Sequence, residues 1–187
     1  MPLRYIGNWA GVNWAVWEIQ ESESDLWIRA DLSTSDQLYV QSISHPRRRL
    51  EALAARVARK ILPPAEYSCL THSFPWAAAA TAPFRVGIDI ERRRPFPAHV
   101  WSYFTHTSER EWDKLSDFTE WHFWCAKELS YKILRSKYSN ISFRNDLRFL
   151  GDRVEFLRAE HHHRIIVQFI QTEAWILGIG KLEKDIV

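Results

Sequence analysis

The sequence has few cysteines and no long apolar run, and these absences exclude several classes of protein. Cys69 and Cys125 are the only cysteines among 187 residues. Their separation is not that of metal ligands, so we expect reduced thiols and a cytoplasmic protein. No apolar stretch approaches the ~20 residues of a membrane-spanning helix. The N-terminal residues lack a charged leader followed by an apolar segment, so we expect neither a membrane anchor nor a signal peptide.

The charge is also small, because 25 Lys and Arg residues face 23 Asp and Glu residues, for a net charge of +2. This excess is too small to indicate a nucleic-acid partner. Hydrophobic residues make up 46% of the chain and ten are tryptophans, which predicts a folded globular protein. The length suits one sizeable domain or two small, tightly packed halves.

Hydrophobic periodicity predicts strands at both ends and in the middle of the chain, with helical segments between them. Residues 26–32 fit either a strand or a short helix. A surface turn is expected at His161–His163, where two strands connect. The predicted strands and hairpins are 12–19, 67–73, 76–82, 84–91, 147–157 and 164–180.

One longer segment has the apolar spacing of a helix, and further helices are predicted after it. From Pro46, apolar residues recur at i, i+3, i+4, i+7 and i+11 until Pro63-Pro64 stops the helix. A basic face runs beside this stripe, and for such a charge run a solvated helix surface is the usual interpretation. Further helices are predicted at 98–104, from Thr107 or Ser108 with Glu111 as the capping-box partner, and over most of 119–137.

The stretch Val86–Glu91 is unusual for a strand. Val86, Ile88 and Ile90 alternate on one face, whereas the other face carries Gly87, Asp89 and Glu91. Two carboxylates on one side, roughly 7 Å apart, repel each other unless a cation or a proton lies between them. Two interpretations fit: a solvated strand end neutralised by the following arginines, or a site for a hard cation such as Mg²⁺.

Two further segments carry polar side chains that can bind a ligand or take part in a reaction. Thr71-His72-Ser73 ends a predicted strand, and an imidazole between two hydroxyls can bind an anion; a histidine at a strand end is more often structural. On the long helix, Glu128 and Lys132 are one turn apart. Such a pair is common on helix surfaces, but Glu128 can also complete a three-carboxylate site with Asp89 and Glu91.

Together these segments resemble the 4′-phosphopantetheinyl transferases of the Sfp type. That family has a Ser-His-Ser-like triplet, then G-x-D-x-E on a strand, then W-x-x-K-E-x-x-x-K on a helix. Here they stand in the same order as Thr71–Ser73, Gly87–Glu91 and Trp124–Lys132. The resemblance spans roughly residues 14–150, and the third motif is the most specific.

The resemblance implies an α+β fold of two similar α+β halves in a pseudo-two-fold arrangement, here 1–83 and 84–187. It implies a monomer that moves the phosphopantetheine arm of coenzyme A to a serine of an acyl or peptidyl carrier protein, leaving 3′,5′-ADP. An acidic carrier protein would suit the weakly basic enzyme.

The resemblance also implies roles for single residues. Asp89, Glu91 and Glu128 would converge to hold Mg²⁺, and Glu128 would take the proton from the serine. Lys132 and Lys127 would face phosphate oxygens. The nucleotide end of coenzyme A, including its 3′-phosphate, would be bound by Thr71, His72 and Ser73, with Arg49 and Arg56 as weaker candidates.

The sequence also departs from the family. Thr71 replaces a serine, and Glu109 and Glu111 both fit the glutamate that many relatives carry before the long helix. Residues 133–136 lack the glycines that often follow the last lysine, and the N-terminal half is shortened. Two rivals are a non-catalytic relative that binds coenzyme A or a carrier protein, and a generic Mg²⁺-dependent phosphohydrolase. The second would leave the Thr-His-Ser cluster and the lysine spacing unexplained.

Overall fold

The computed structural model describes residues 3–112, 117–158 and 161–183. The chain divides into two compact units, Met1–Phe84 and Arg85–Val187. Each unit contains one antiparallel sheet and helices that pack on it. The predicted α+β class is therefore confirmed. Within the described ranges, no helix has the length and apolarity needed to cross a membrane.

The first unit has four strands in the order β1-β2-β4-β3, all antiparallel. Its strands are β1 (Leu3–Trp9), β2 (Val12–Glu18), β3 (Tyr67–Ser73) and β4 (Trp76–Ala82). Its helices are α1 (Glu23–Ala30), α2 (Thr34–Ser42) and α3 (Pro46–Lys60).

The core of the first unit lies between α3 and the sheet. The middle of the apolar stripe predicted for α3 is buried, with Leu53 and Ala54 fully inaccessible, whereas Ile61 at its end is 38% exposed. Opposite it, β4 presents the buried alanines Ala77 and Ala79. Small side chains on the strand let the helix backbone lie close to the sheet, so the long apolar side chains of α3 fill the gap.

Two short helices precede α3, and each begins at a serine N-cap. Ser22 accepts a hydrogen bond from the Asp25 amide, and Ser33 accepts one from the Asp36 amide, both at 3.2 Å. The first helix decides between the two alternatives for residues 26–32, since most of that segment is helical. The second helix and strand β1 were not predicted.

The second unit has five strands in the order β5-β9-β8-β7-β6, again all antiparallel. Its strands are β5 (Val86–Arg92), β6 (Leu147–Phe149), β7 (Arg153–Arg158), β8 (His161–Gln171) and β9 (Trp175–Leu182). Its helices are α4 (Ala98–Phe104), α5 (Thr107–Trp112) and α6 (Glu120–Leu134).

Helix α6 lies on a glycine floor formed by Gly87, Gly178 and Gly180 of β5 and β9. A Cβ added at Gly87 would overlap the backbone carbonyl of Leu129, and one at Gly180 would overlap the Leu129 side chain. Gly87 therefore lacks a side chain where the backbone of α6 comes close to β5.

Local details of the second unit correct two predictions. His161–His163 are the first residues of β8, paired with 156–158 of β7, so the predicted surface turn at these histidines is wrong. At the start of α5, the Glu109 carboxylate accepts from the His106 amide at 2.6 Å. Glu109 therefore takes the capping position predicted for Glu111, whose side chain lies outside the described atoms.

Candidate active site

Strand β5 carries its two acids on the face that α6 covers. Asp89 is 5% exposed, and Glu91 is half-buried near the strand end. Asp89 pairs with Gly178 of β9, which has no side chain to crowd the helix. The strand therefore holds a carboxylate beneath α6, a placement that is costly unless a positive charge lies nearby.

Lys132 of α6 supplies that positive charge. Its ammonium donates to Asp89 Oδ1 at 2.7 Å and to the Ile88 carbonyl at 3.0 Å. The lysine is thus bonded to the strand acid, whereas the sequence suggested Glu128 or a phosphate as its partner. The lysine side chain stays 18% exposed, so it keeps access to solvent.

Glu128 lies one turn before Lys132 and is half-buried. Burial raises the pKa of its carboxyl, and the negative charge of Asp89 raises it further, while Lys132 and Arg135 partly offset the effect. The structure therefore brings Asp89, Glu128 and Lys132 within electrostatic range of one another.

Glu91 lies at the margin of this group. Its carboxylate is 4.0 Å from the guanidinium of Arg94, a separation typical of a weak, solvent-screened pair. Burial, followed by the charges of Asp89 and Glu91, raises the pKa of the Cys125 thiol well above its ordinary value. Both acids therefore lie within electrostatic range of the same buried point on α6.

Across the described ranges, no three His, Cys, Asp or Glu side chains are placed to hold a metal ion together. The expected convergence of Asp89, Glu91 and Glu128 is thus not a closed ligand set in this structure. The chemistry of the donors nevertheless fits a hard cation, because all are carboxylates. Burial and then the charge of Asp89 raise the pKa of Glu128, and a cation bound to both carboxylates would offset their mutual repulsion.

Lys127 does not join this group. Its ammonium is fully buried and donates to Glu109 at 2.6 Å, to the Phe104 carbonyl at 2.8 Å and to the Phe143 carbonyl at 2.9 Å. Burial lowers the pKa of Lys127 to about 8, although Glu109 opposes that shift. All three donors are engaged, which corrects the expectation that Lys127 faces a phosphate.

The Thr-His-Ser cluster lies at the end of β3 in the first unit. Thr71 is buried, while His72 and Ser73 are half-buried. His72 Nδ1 is 3.3 Å from a carboxylate oxygen of the buried Glu51 and 3.4 Å from the Arg48 guanidinium. Glu51 is itself fixed by the Phe74 amide at 3.1 Å.

Two exposed arginines at the start of α3 complete this cluster. Arg48 lies 3.5 Å from Glu51, and Arg47 lies 3.5 Å from it while stacking on the Phe74 ring at 4.5 Å. Neither arginine was among the site residues predicted from the sequence. The signal that could have selected them is Glu51, the one acid in an arginine-rich helix, at i+3 from Arg48.

The two predicted arginines lie elsewhere. Arg49 is bonded to Glu23 at 2.8 Å and to the Ile43 and Ser44 carbonyls. Arg56 is bonded to Asp36 at 2.6 Å and lies over the Tyr39 ring. These contacts fasten α1 and α2 to α3, so both arginines are bonded to carboxylates in this structure, and anion binding by Arg49 and Arg56 stays a prediction.

Asp36 shows how firmly the second of these contacts is made. Burial acts to raise the pKa of its carboxyl, but the hydrogen bonds and charges of Arg59 and Arg56 hold that pKa below its usual value. An arginine engaged in this way would have to give up a charge-assisted bond before it could bind a ligand.

The second unit thus combines an α+β fold with a lysine bonded to a strand aspartate beside a helix glutamate. Residues 85–179 match the 4′-phosphopantetheinyl transferase superfamily. The match covers half of the chain and includes Asp89, Glu91, Glu128 and Lys132, so the protein belongs to this superfamily of transferases. A search of curated proteins finds no match.

Proposed function

We propose that the protein is an Sfp-type 4′-phosphopantetheinyl transferase. It would move the phosphopantetheine arm of coenzyme A to a serine of an acyl or peptidyl carrier protein and release 3′,5′-ADP. The observation that carries this proposal is the bonding of Lys132 to Asp89 beside Glu128, inside the region that matches the superfamily.

The acids Asp89, Glu91 and Glu128 would hold Mg²⁺, since hard cations take carboxylate oxygens as ligands. A magnesium ion bound there supplies positive charge that stabilises the leaving phosphate. The support is the chemistry of the donors and the raised pKa of Glu128 beside Asp89.

Glu128 would act as the general base. Its carboxylate lies one turn before Lys132 on the same helix and within electrostatic range of Asp89, and a carboxylate is a common general base. The serine hydroxyl would give its proton to Glu128 while its oxygen bonds to the β-phosphorus of coenzyme A. The bond from that phosphorus to the bridging oxygen then breaks, and 3′,5′-ADP leaves with the electron pair. Lys132 would bind the phosphate oxygens on which charge grows.

The nucleotide end would be bound by Thr71, His72 and Ser73, together with Arg48 and Arg47. The two arginines replace Arg49 and Arg56 in this proposal because their guanidinium groups are exposed beside the cluster. Arginine pairs with phosphate through two parallel hydrogen bonds, which suits the 3′-phosphate.

We further propose that the protein works in the cytoplasm as a monomer and that its partner is an acidic carrier protein. A second candidate is a non-catalytic relative that binds coenzyme A or a carrier protein. The observation that favours it is that the described residues contain no ready-made set of three metal ligands.

One assay separates these functions. The protein is incubated with coenzyme A, Mg²⁺ and several apo carrier proteins, and the carriers are weighed by mass spectrometry. The transferase adds the mass of one phosphopantetheine group to a carrier and forms 3′,5′-ADP. Coenzyme A binding by calorimetry without any mass gain would identify the binding relative instead.

Glu128→Gln tests the base within the same assay. We expect transfer to fall by about 10²-fold or more, while the affinity for coenzyme A measured by calorimetry changes little. Glu120→Gln is the matched control, since Glu120 begins the same helix away from Asp89, and its turnover should equal that of the unmodified protein. Unchanged turnover in Glu128→Gln would remove Glu128 from the mechanism.

A further inference from the structure

The second unit contains a fully enclosed ion pair that the proposed chemistry does not use. The Lys127 ammonium lies 2.6 Å from the Glu109 carboxylate, and the two side chains are 0% and 3% exposed. Lys127 directly precedes Glu128 on α6, whereas Glu109 belongs to α5. The pair therefore joins the helix that carries the proposed base to a different element.

The hydrogen bonds of this pair reach four further backbone groups. The ammonium also donates to the Phe104 carbonyl at the end of α4 and to the Phe143 carbonyl before β6. The carboxylate also accepts from the His106 amide at 2.6 Å and from the Phe149 amide of β6 at 2.8 Å. Three bonds from Lys127 thus tie α6 to Glu109 of α5, the end of α4 and the segment before β6, and two bonds to Glu109 tie that carboxylate to the start of α5 and to β6.

Stability alone is a poor reason for such a pair. Removing two charges from water costs several kcal/mol per ion, and well-packed apolar residues often stabilise a fold as much or more. A buried ion pair in which every donor and acceptor is hydrogen-bonded does fix the relative positions of the elements it joins. Any other placement of those elements would leave polar groups unpaired in the interior.

The other contacts of α6 constrain it in a different way. On the side facing β5 and β9, the helix meets the glycine floor, where Leu129 packs against Gly87, Gly178 and Gly180. These are van der Waals contacts, and they set the separation between helix and sheet. Successive residues on a helix point about 100° apart, so fixing the Lys127 side chain also fixes the direction of Glu128 and, one turn on, of Lys132.

We propose that the Glu109–Lys127 pair is the positioning element of the candidate active site: it sets the rotation of α6 so that Glu128 and Lys132 face Asp89. The proposal deepens the transferase function and rests on it for the kinetic effect. The proposal also predicts that the pair maintains the 2.7 Å contact of Lys132 with Asp89. That structural prediction can be tested whether or not the protein transfers phosphopantetheine. Glu109 and Lys127 are positioning residues and touch no substrate.

The test is a double variant, Glu109→Gln with Lys127→Met, which removes both charges and nearly keeps the volume. We expect it to fold, because no uncompensated charge remains, but to melt below the unmodified protein, because the Phe104 and Phe143 carbonyls lose the Lys127 donor. We expect kcat to fall by about tenfold or more, since small misplacements of reacting groups are costly. The KM for coenzyme A should change by less than about twofold. Its crystal structure should show the contact of Lys132 with Asp89 lengthened or lost.

Lys137→Met is the matched control, because Lys137 is an exposed lysine just after the same helix; its kinetics should be unchanged. If the double variant does not fold, Lys127→Arg tests the proposal instead. Arginine keeps the positive charge, but its planar guanidinium presents its donors in a different geometry from the ammonium. We expect that variant to fold, to lose kcat and to displace Lys132 from Asp89.

A folded double variant, or a folded Lys127→Arg variant, that keeps the 2.7 Å contact and full kcat would overturn the proposal. If the unmodified protein transfers nothing, the proposed function fails. The crystal structures still decide the positioning claim in that case: a retained contact rejects it, and a displaced Lys132 supports it.

Discussion

His122 lies in the first turn of α6, where its uncharged ring both caps the helix and packs in the core. Its Nδ1 accepts a hydrogen bond from the Thr119 amide at 2.9 Å, and the ring lies edge-on to Phe118 and Phe169. Burial, helped by the charge of Arg93, lowers the pKa of His122 to about 4. The fold therefore requires the neutral imidazole, because a protonated Nδ1 could no longer accept the capping bond.

This requirement predicts a pH dependence of stability. Between pH 6.5 and 4 the unfolded chain binds a proton at His122 and the folded chain does not, so stability falls as the pH falls. The loss reaches about 3 kcal/mol for a shift of this size. In His122→Gln, which keeps a capping acceptor, urea unfolding at pH 7 and pH 4.5 should show a smaller difference than in the unmodified protein. The exposed His99→Gln serves as control, and equal pH slopes in all three proteins would contradict the prediction.

Arg48 is the residue on which recognition of the 3′-phosphate of coenzyme A depends in our proposal. Arg48→Ala should weaken coenzyme A binding by about fivefold, the size expected for an exposed charge-assisted contact. The affinity for dephospho-coenzyme A, which lacks that phosphate, should not change. Calorimetry with both ligands measures the difference, and Arg29→Ala, on α1 of the same unit, is the control. Equal losses for both ligands would place Arg48 outside the phosphate site.

Single residues also show which contacts a sequence pattern predicts and which it does not. Asp89 could be placed on a strand with Glu91, and Lys132 on a helix with Glu128, because motif spacing fixes such neighbours, two residues along a strand and four along a helix. The partner of a long side chain has no such local signal. Lys127 meets Glu109, and Arg56 meets Asp36, through tertiary packing that the sequence pattern does not contain.

At the scale of secondary structure, the contact of α6 with β5 depends on the absence of one side chain. Gly87→Ala would push a Cβ into the Leu129 carbonyl, and a backbone atom cannot rotate away, so the whole helix must shift. We expect a loss of about 3 kcal/mol or more in the free energy of unfolding, measured in urea.

Gly180→Ala is the matched comparison for that prediction. Its Cβ would meet the end of the Leu129 side chain, which can change rotamer, so we expect a smaller loss of about 1 kcal/mol. If the two variants lost equal stability, the close approach of the helix backbone to β5 would not be the reason for Gly87.

The elements that the sequence did not predict have weak periodicity. Helix α2 buries only Val40, because its remaining residues cover the surface, so no apolar stripe marks it. Strand β1 contains Gly7, packed against the Trp14 ring, which interrupts the alternation expected of a strand. Helix α3 was predicted because its long apolar stripe is the face that packs on β4.

At the scale of the whole molecule, each unit has a hydrophobic core of its own. The first core joins α3 to β4 through residues such as Leu53 and Ala79, and the core of the second unit joins α6 to β6 and β8 through Phe123, Phe149 and Ile165. A unit with its own core can fold alone. The match to the superfamily falls entirely within the second unit.

We therefore predict that a fragment of residues 85–187 folds by itself. It should unfold cooperatively in urea and give a near-ultraviolet circular dichroism signal from its packed tryptophans. The same fragment with Gly87→Ala is the control and should lose that cooperative transition. A fragment without fixed near-ultraviolet signal would show that its core depends on the first unit. The fragment lacks His72 and Arg48, so it should bind coenzyme A and dephospho-coenzyme A alike.

The α+β class could be predicted for the whole chain because strand alternation and helix stripes recur along it. The pseudo-two-fold relation of the halves stays a prediction, as does the role of the predicted magnesium ligands. Both depend on the mutual placement of groups far apart in sequence, which short-range spacing does not determine.

The two cysteines differ in their reactivity towards thiol reagents in the folded protein. Cys125 is fully buried, and burial and the neighbouring acids raise its pKa, so the reactive thiolate does not form there at neutral pH. Cys69 is half-buried on β3, two residues before Thr71. Alkylation of the folded chain should therefore mark Cys69 alone, and a fluorophore attached there would report on the Thr-His-Ser cluster without any change to the sequence.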